Sequence, residues 1–250
     1  MKAFFLSIIF LVVTSAARAA EIADDFNRAN TAQIANTVNV GGTGWVQDGD
    51  ATATGSDWFI NNNTVAGRNR VQVALLYNNS LETVSGSGTN FVLRTDVSAK
   101  LLNAYAGITF NYQNASNYYV VRFKGGTTTY QMLKVVDGTN AQVIVSKTDS
   151  SQAFAVDSFY TITVTSDTAG AFDFTMTAAG SPTVLNTVTT GVDTTGSSFD
   201  GGYAGMYLNT AALGPYAKFN NFSLNVIPEP ATIGMLIFGA AITMLIRRRK

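Results

Sequence analysis

From residue 70 to residue 226 apolar and polar positions alternate with a period of two, in short runs rich in Thr, Val, Tyr and Phe that Gly, Asn, Asp and Ser interrupt. A period of two puts every second side chain on one face of an extended strand, and the turn-forming residues end each run before a helix could close. The pattern predicts strands at 70–77, 91–97, 105–112, 118–124, 128–136, 142–146, 159–165, 171–177, 203–208 and 216–226. No stretch of this region repeats with the period of an amphipathic helix. Short strands at near-regular spacing predict an all-β fold of antiparallel sheets packed as a sandwich or barrel.

The central strands also predict a register. With 113–116 as a loop, Tyr112 opposes Asn117, and the pairs Phe110–Tyr119, Ile108–Val121 and Ala106–Phe123 line one apolar face. A two-residue turn at Gly125-Gly126 then sets Val121 opposite Tyr130 and Tyr119 opposite Met132. A slip of one residue would send each of these side chains to the other face, so two turns agreeing on one apolar face is a strong constraint. The opposite face is expected to carry Arg94, Asp96, Tyr105, Thr109, Asn111, Tyr118, Arg122 and Lys124. Guanidinium forks, amides and amphipathic rings on a rigid sheet can hold sugar hydroxyls, which makes Arg94, Asn111, Tyr118 and Arg122 the candidate glycan-binding residues. A solvated outer sheet is polar in the same way, so both readings stand.

The two ends depart from this pattern. Lys2, an apolar run over 3–13 and the small residues up to Ala19 match a secretory signal peptide over 1–19, the work of a signal peptidase and the secretion machinery. At the other end Ile227-Pro228-Glu229-Pro230 precedes sixteen uncharged residues, 231–246, and then Arg247, Arg248, Arg249 and Lys250. As a helix, sixteen residues cover about 24 Å of a hydrocarbon layer near 30 Å, a short transmembrane span whose cations would stay on the cytoplasmic side. Pro228, Glu229 and Pro230, the short span and the basic end together resemble the PEP-CTERM sorting signal. That resemblance covers 227–250 and implies processing at the Pro-Glu-Pro motif by an exosortase, a membrane transpeptidase of Gram-negative bacteria that make exopolysaccharide. It implies export across the inner membrane, transient anchoring by the C-terminal helix, and a final place at the cell surface or in the extracellular matrix.

Composition narrows the chemistry of residues 20–226. The chain has no His and no Cys, which removes the commonest general base, thiol nucleophiles, zinc clusters and disulfides. Ten Lys and Arg stand against fifteen Asp and Glu in 20–226, a net charge of −5 with no basic stripe, and nucleic acid is excluded as an expected partner. An extracellular polysaccharide is the expected partner instead.

A second resemblance rests on Ala23-Asp24-Asp25-Phe26-Asn27-Arg28-Ala29-Asn30, Trp45, Trp58-Phe59-Ile60, the Ala106 to Phe110 strand leading into Asn117 to Phe123, and Lys218-Phe219-Asn220-Asn221-Phe222-Ser223-Leu224. Together these resemble the concanavalin A-like, laminin-G-like jelly rolls of exported bacterial proteins. The resemblance implies two curved antiparallel sheets with the first and last strands adjacent, in a family of lectins, carbohydrate-binding modules, adhesion domains and glycanases. The expected function is an exported, sorted surface or matrix protein that binds glycan or serves a structural or adhesive role. Glycosidases of this fold carry a Glu-x-Asp-x-Glu cluster on one strand, and nothing here matches it, so the chain is expected not to be an enzyme; a glycan-active hydrolase is the alternative. Asp48, Asp50 and Asp57 offer hard oxygen ligands, and calcium is the one cofactor they would take. Thr161, Thr163 and Thr165 with Thr175 and Thr177 raise a third reading, an ice-binding or inert matrix protein.

Overall fold

Fifteen strands account for the regular structure of the computed structural model, which describes residues 20–30, 44–49, 58–69, 73–82, 89–138, 140–148, 153–168, 171–181, 185, 189–194, 199, 201–209 and 214–228. All ten predicted strands are present: β5 (Val73–Glu82), β6 (Thr89–Ala99), β7 (Tyr105–Asn114), β8 (Asn117–Lys124), β9 (Thr129–Val136), β10 (Asn140–Thr148), β11 (Phe159–Thr168), β12 (Ala171–Ala178), β14 (Tyr203–Asn209) and β15 (Gly214–Pro228). Five others were not predicted by the alternation: β1 (Ala20–Asp24), β2 (Trp45–Gly49), β3 (Trp58–Ile60), β4 (Val65–Asn69) and β13 (Thr189–Val192). These are three to five residues long, too short for a period of two to stand out from its surroundings.

The strands form two antiparallel sheets. One runs β13-β12-β11-β6-β15-β4-β3, with β1 also paired to β15, and the other runs β10-β9-β8-β7-β14-β5-β2. The first and last strands are adjacent, Ala20 opposite Val226 and Asp24 opposite Phe222, as the jelly-roll resemblance implied. Between the sheets lies a core rich in rings: Phe91 of β6 and Phe110 of β7 have centroids 5.9 Å apart, Phe110 and Phe172 of β12 4.8 Å, and Tyr130 of β9 and Phe174 5.9 Å. Each ring removes a large apolar area from water, so the sandwich holds without disulfides.

The meander β7-β8-β9 keeps the expected pairs Phe110–Tyr119, Ile108–Val121 and Ala106–Phe123. Its second turn is longer than expected. Met132 opposes Val121 and Tyr130 opposes Phe123, a shift of two residues that leaves every side chain on its expected face. The first turn differs more. Asn114, not Tyr112, lies opposite Asn117, because the register breaks between Phe110 and Asn114. Asn111 takes a left-handed φ of 45° there, and this bulge, the one extra residue that β7 carries relative to β14, reverses the alternation beyond it.

The carboxyl end requires a correction. β15 runs on through Ile227 and Pro228, which pair with Asn90 and Thr89, so the start of the supposed spacer belongs to a sheet strand. A proline is tolerated at such a strand end because its fixed φ suits extended backbone. Every regular element of the described residues is a strand, and no helix among them is long and apolar enough to cross a membrane. The transmembrane helix expected at 231–246, with Glu229, Pro230 and the basic end 247–250, lies outside the described residues, as does the signal segment 1–19. Among the described residues the fold is an all-β sandwich, and none of them forms the transmembrane helix that was expected. The partners and location argued from that helix, exosortase, the membrane and transient anchoring, are withdrawn with it.

Candidate functional site

The seven-stranded sheet has an inner face that joins the core and an outer face with a packed cluster of its own. Six of the ten tyrosines form a row on that outer face. Tyr203 stacks on Tyr77 with centroids 5.5 Å apart, Tyr77 on Tyr112 at 4.6 Å, and the row continues to Tyr118 at 6.0 Å and Tyr207 at 6.4 Å. Arg122 bridges Tyr207 to the last ring, its guanidinium carbon 5.8 Å from the Tyr207 centroid and 3.9 Å from that of Tyr105. Tyr112, Tyr118 and Tyr207 are buried, whereas Tyr77, Tyr203, Tyr105 and Arg122 are half-buried. Val120, Leu133 and Val135 fill the floor beside them.

The register explains how Arg122 reaches across. Tyr207, Gly107, Arg122, Gln131 and Ser146 stand directly opposite one another on β14, β7, β8, β9 and β10. Arg122 donates from Nε and Nη2 to Gln131 Oε1, at 3.1 and 2.9 Å, and from Nη1 to the Tyr207 hydroxyl at 2.8 Å. Gln131 Nε2 donates to Ser146 at 3.2 Å, and Asn209 Nδ2 to the Tyr207 hydroxyl at 3.1 Å. Gly107 makes the lane possible. A Cβ there would come within 2.0 Å of the Val121 carbonyl oxygen and 2.9 Å of the Arg122 Cβ, so any side chain would close the path from Arg122 to Tyr207. The result is a polar line over five strands, flanked by rings and fixed in place before any ligand arrives.

Burial, and then the neighbouring Tyr207, hold the Tyr118 phenol protonated well above the ordinary tyrosine range, with Arg122 pulling weakly the other way. An unfolded tyrosine ionises near pH 10. Between that pH and the higher folded value the native state keeps a proton that the unfolded state has lost, so Tyr118 makes stability fall as pH rises through this window. Spectrophotometric titration near pH 10–11 is expected to be the same for the native wild type and the native Tyr118→Phe variant, whereas in urea the wild type ionises one phenol more than the variant. Full ionisation of every tyrosine in the folded state at that pH would contradict it.

The four expected binding residues do not meet. Tyr118 and Arg122 belong to this face, but Arg94 lies on β6 of the other sheet, exposed beside a shallow pocket of about 360 Å³ that Asp25, Asn221 and Ser223 also line. Asn111 is buried and turned inward by the bulge, its Nδ2 donating to the Phe199 carbonyl at 2.7 Å. Tyr112, expected inside, takes the outward place instead. Sequence reasoning missed Tyr77, Tyr203, Tyr207 and Gln131. The alternation marks Gln131 as outward, but only the sheet order brings β14 beside β7 and β5 beside β14.

Other expectations fall elsewhere. Asp48 sits in β2 opposite Leu75, while Asp50 and Asp57 lie outside the described residues. Among the described residues no cluster of three or more acidic side chains could hold a metal ion. Thr161 and Thr163 pair with Thr177 and Thr175, yet the Thr161 hydroxyl is buried and donates to Asp96 at 2.5 Å, which breaks the threonine rank. The other Asp96 oxygen accepts from Asn221 Nδ2 at 2.7 Å, pinning the bulge in β15. Asp96 is thus part of the scaffold.

No family model matches the chain, and no curated protein matches it. The assignment of 227–250 to the sorting-signal family is withdrawn, and with it the sorted surface-protein function. Solved structures do share the fold. A carbohydrate-binding module, CBM66, from Bacillus subtilis superposes with a TM-score of 0.54 at 16% identity, over 72% of this chain and 94% of the module. An endo-1,3-beta-glucanase from Streptomyces sioyaensis gives a TM-score of 0.52 at 12% identity, over 82% of this chain and 95% of the enzyme. Identities this low speak for the fold alone. Because the same sandwich serves a glucanase, the expectation that the chain is not an enzyme is corrected: the architecture is no argument against catalysis.

Proposed function

We propose that the outer face of the seven-stranded sheet engages a polysaccharide. The observation that carries this is the row of six tyrosines interrupted by Arg122. Pyranose rings present flat C–H faces that stack on aromatic rings, and their hydroxyls need fixed donors and acceptors at the rim. Tyr203, backed by Tyr77, offers a stacking surface at one end and Tyr105 at the other, while Arg122, Gln131 and Asn209 supply the polar partners. The similarity in fold to a carbohydrate-binding module supports the reading.

Hydrolysis is the second reading, favoured by the fold shared with an endo-1,3-beta-glucanase. It requires carboxylates beside the bound chain. Asp24 is occupied by Trp45 and Arg28, so the carboxylate to test is Asp25, which lines the pocket with Arg94.

Pull-down on insoluble and gelled polysaccharides separates these readings. The double variant Tyr77→Ala/Tyr203→Ala is expected to weaken retention at least tenfold, since loss of an aromatic contact costs on the order of 1 kcal/mol or more per ring. Retention unchanged in a folded double variant would remove the tyrosine face from the function. Reducing ends released by the wild type and not by Asp25→Asn would assign a glycan hydrolase.

A further inference from the structure

We propose that the polysaccharide this face takes is an acidic one, a chain bearing uronic-acid or equivalent carboxylates; the inference rests on the carbohydrate reading above and names its substrate class.

The charge distribution points there. Residues 20–226 carry a net charge of −5, and strands of the other sheet share in it: Glu21 and Asp24 in β1, Asp96 in β6, Asp167 in β11 and Asp173 in β12. Five adjacent strands of the binding sheet, β10, β9, β8, β7 and β14, contain no Asp or Glu. The same strands contain Arg122, Lys124, Lys134 and Lys147. Lys134 faces the core and is neutralised by Asp193 at 2.9 Å, so the outward cations of the central strands are Arg122 and Lys124. In an acidic domain, five adjacent strands with cations and no carboxylate attract anions to themselves, while Glu82 of β5 and Asp48 of β2 leave the far side of the sheet acidic.

Arg122 is prepared for such a group. Three of its five N–H donors are used by Gln131 and Tyr207, which fix the plane of the guanidinium against Tyr105 and leave two donors for a ligand. A planar fork held rigid loses little freedom when it closes on a carboxylate. Lys124 Nζ lies 5.7 Å from the same Tyr105 ring, a second positive charge beside the ring on which the sugar would stack. A neutral glycan would need hydroxyl partners here but would gain nothing from this pairing of cations.

The test uses the purified full chain in affinity electrophoresis and calorimetry with three soluble polymers: polygalacturonate, the same polymer fully methyl-esterified, and the neutral 1,3-β-glucan laminarin. Polygalacturonate is expected to bind at least tenfold more tightly than its ester or laminarin, and this preference to shrink as NaCl is raised from 20 to about 500 mM, where the Debye length falls below about 5 Å. Arg122→Gln, checked for folding by circular dichroism, is expected to erase the preference. The comparison of acid with ester on the wild-type chain needs no variant, so it stands even where Arg122→Gln unfolds. Equal binding of acid, ester and laminarin would overturn the acidic class and leave the carbohydrate reading intact. Binding of none of the three, nor of any polysaccharide in the pull-down, would overturn both.

Discussion

Lys134→Met is expected to lower the free energy of unfolding by about 3–5 kcal/mol, because it leaves a buried carboxylate without its cation. The Lys134 side chain is 3% exposed and the Asp193 side chain 0%. Asp193 Oδ2 accepts from Lys134 Nζ at 2.9 Å and from the Tyr119 hydroxyl at 2.5 Å, and the Phe199 amide in turn donates to Tyr119. One carboxylate beyond the end of β13 thus ties that segment to β8 and β9 of the facing sheet. The net contribution of such a buried pair to stability is small, because desolvation of both charges offsets their attraction. Removing both charges together is therefore expected to cost far less than removing one. The triple variant Lys134→Met/Asp193→Leu/Tyr119→Phe should recover most of the loss. Urea denaturation with an unchanged m-value measures both quantities. A single Lys134→Met loss within 1 kcal/mol of zero would show that the pair is solvated in solution.

Asp24→Ala is the second large effect, again expected at about 3–5 kcal/mol. Asp24 is 3% exposed and closes the sandwich where β1 meets β15. Its Oδ1 accepts from the Phe26 amide at 2.8 Å, and its Oδ2 from Trp45 Nε1 at 2.8 Å and Arg28 Nη2 at 2.7 Å. The first bond holds Phe26 at a left-handed φ of 53°, a conformation that a bulky residue adopts only when its surroundings force it. That turn drops the Phe26 ring onto Trp45, 5.6 Å away, and Trp45 packs edge-on against Phe222 at 4.8 Å. Asp24→Asn keeps an acceptor for the indole and loses the charge, and is expected to cost about half as much. Thermal melts with the tryptophan emission as a second probe check the order Ala, Asn, wild type. A red shift of emission in the folded Asp24→Ala protein would report water at Trp45. An Asp24→Ala protein as stable as the wild type would show that the knot is dispensable.

The Asp-Asp-Phe-Asn-Arg segment shows how far motif reading carries. Its likeness to the opening of other jelly rolls placed it correctly beside the final strand, but the three roles of Asp24 depend on Trp45, twenty-one residues away. The binding face behaves in the same way. Tyr118 and Arg122 were legible because they lie on a strand whose inward partners are unmistakably apolar. Tyr77 and Tyr203 were not legible, because they join the face only through the order β8-β7-β14-β5, in which β14 and β5, far from β7 in sequence, follow it in the sheet. Arg94 was misplaced for the opposite reason. It stands close to β7 in sequence, but the chain crosses to the other sheet between Ala99 and Tyr105.

Alternation by itself determined the strand class, all ten long strands, and the inward faces of β7, β8 and β9, since a period of two follows from local backbone geometry and the exclusion of apolar side chains from water. Tertiary structure decided the rest. It chose which strands lie side by side, turned Asn111 in and Tyr112 out through one left-handed residue, and carried the last strand through Pro228. Those outcomes depend on long-range pairing, whose energy comes from partners far away in the chain and leaves no periodic trace at the residues it positions.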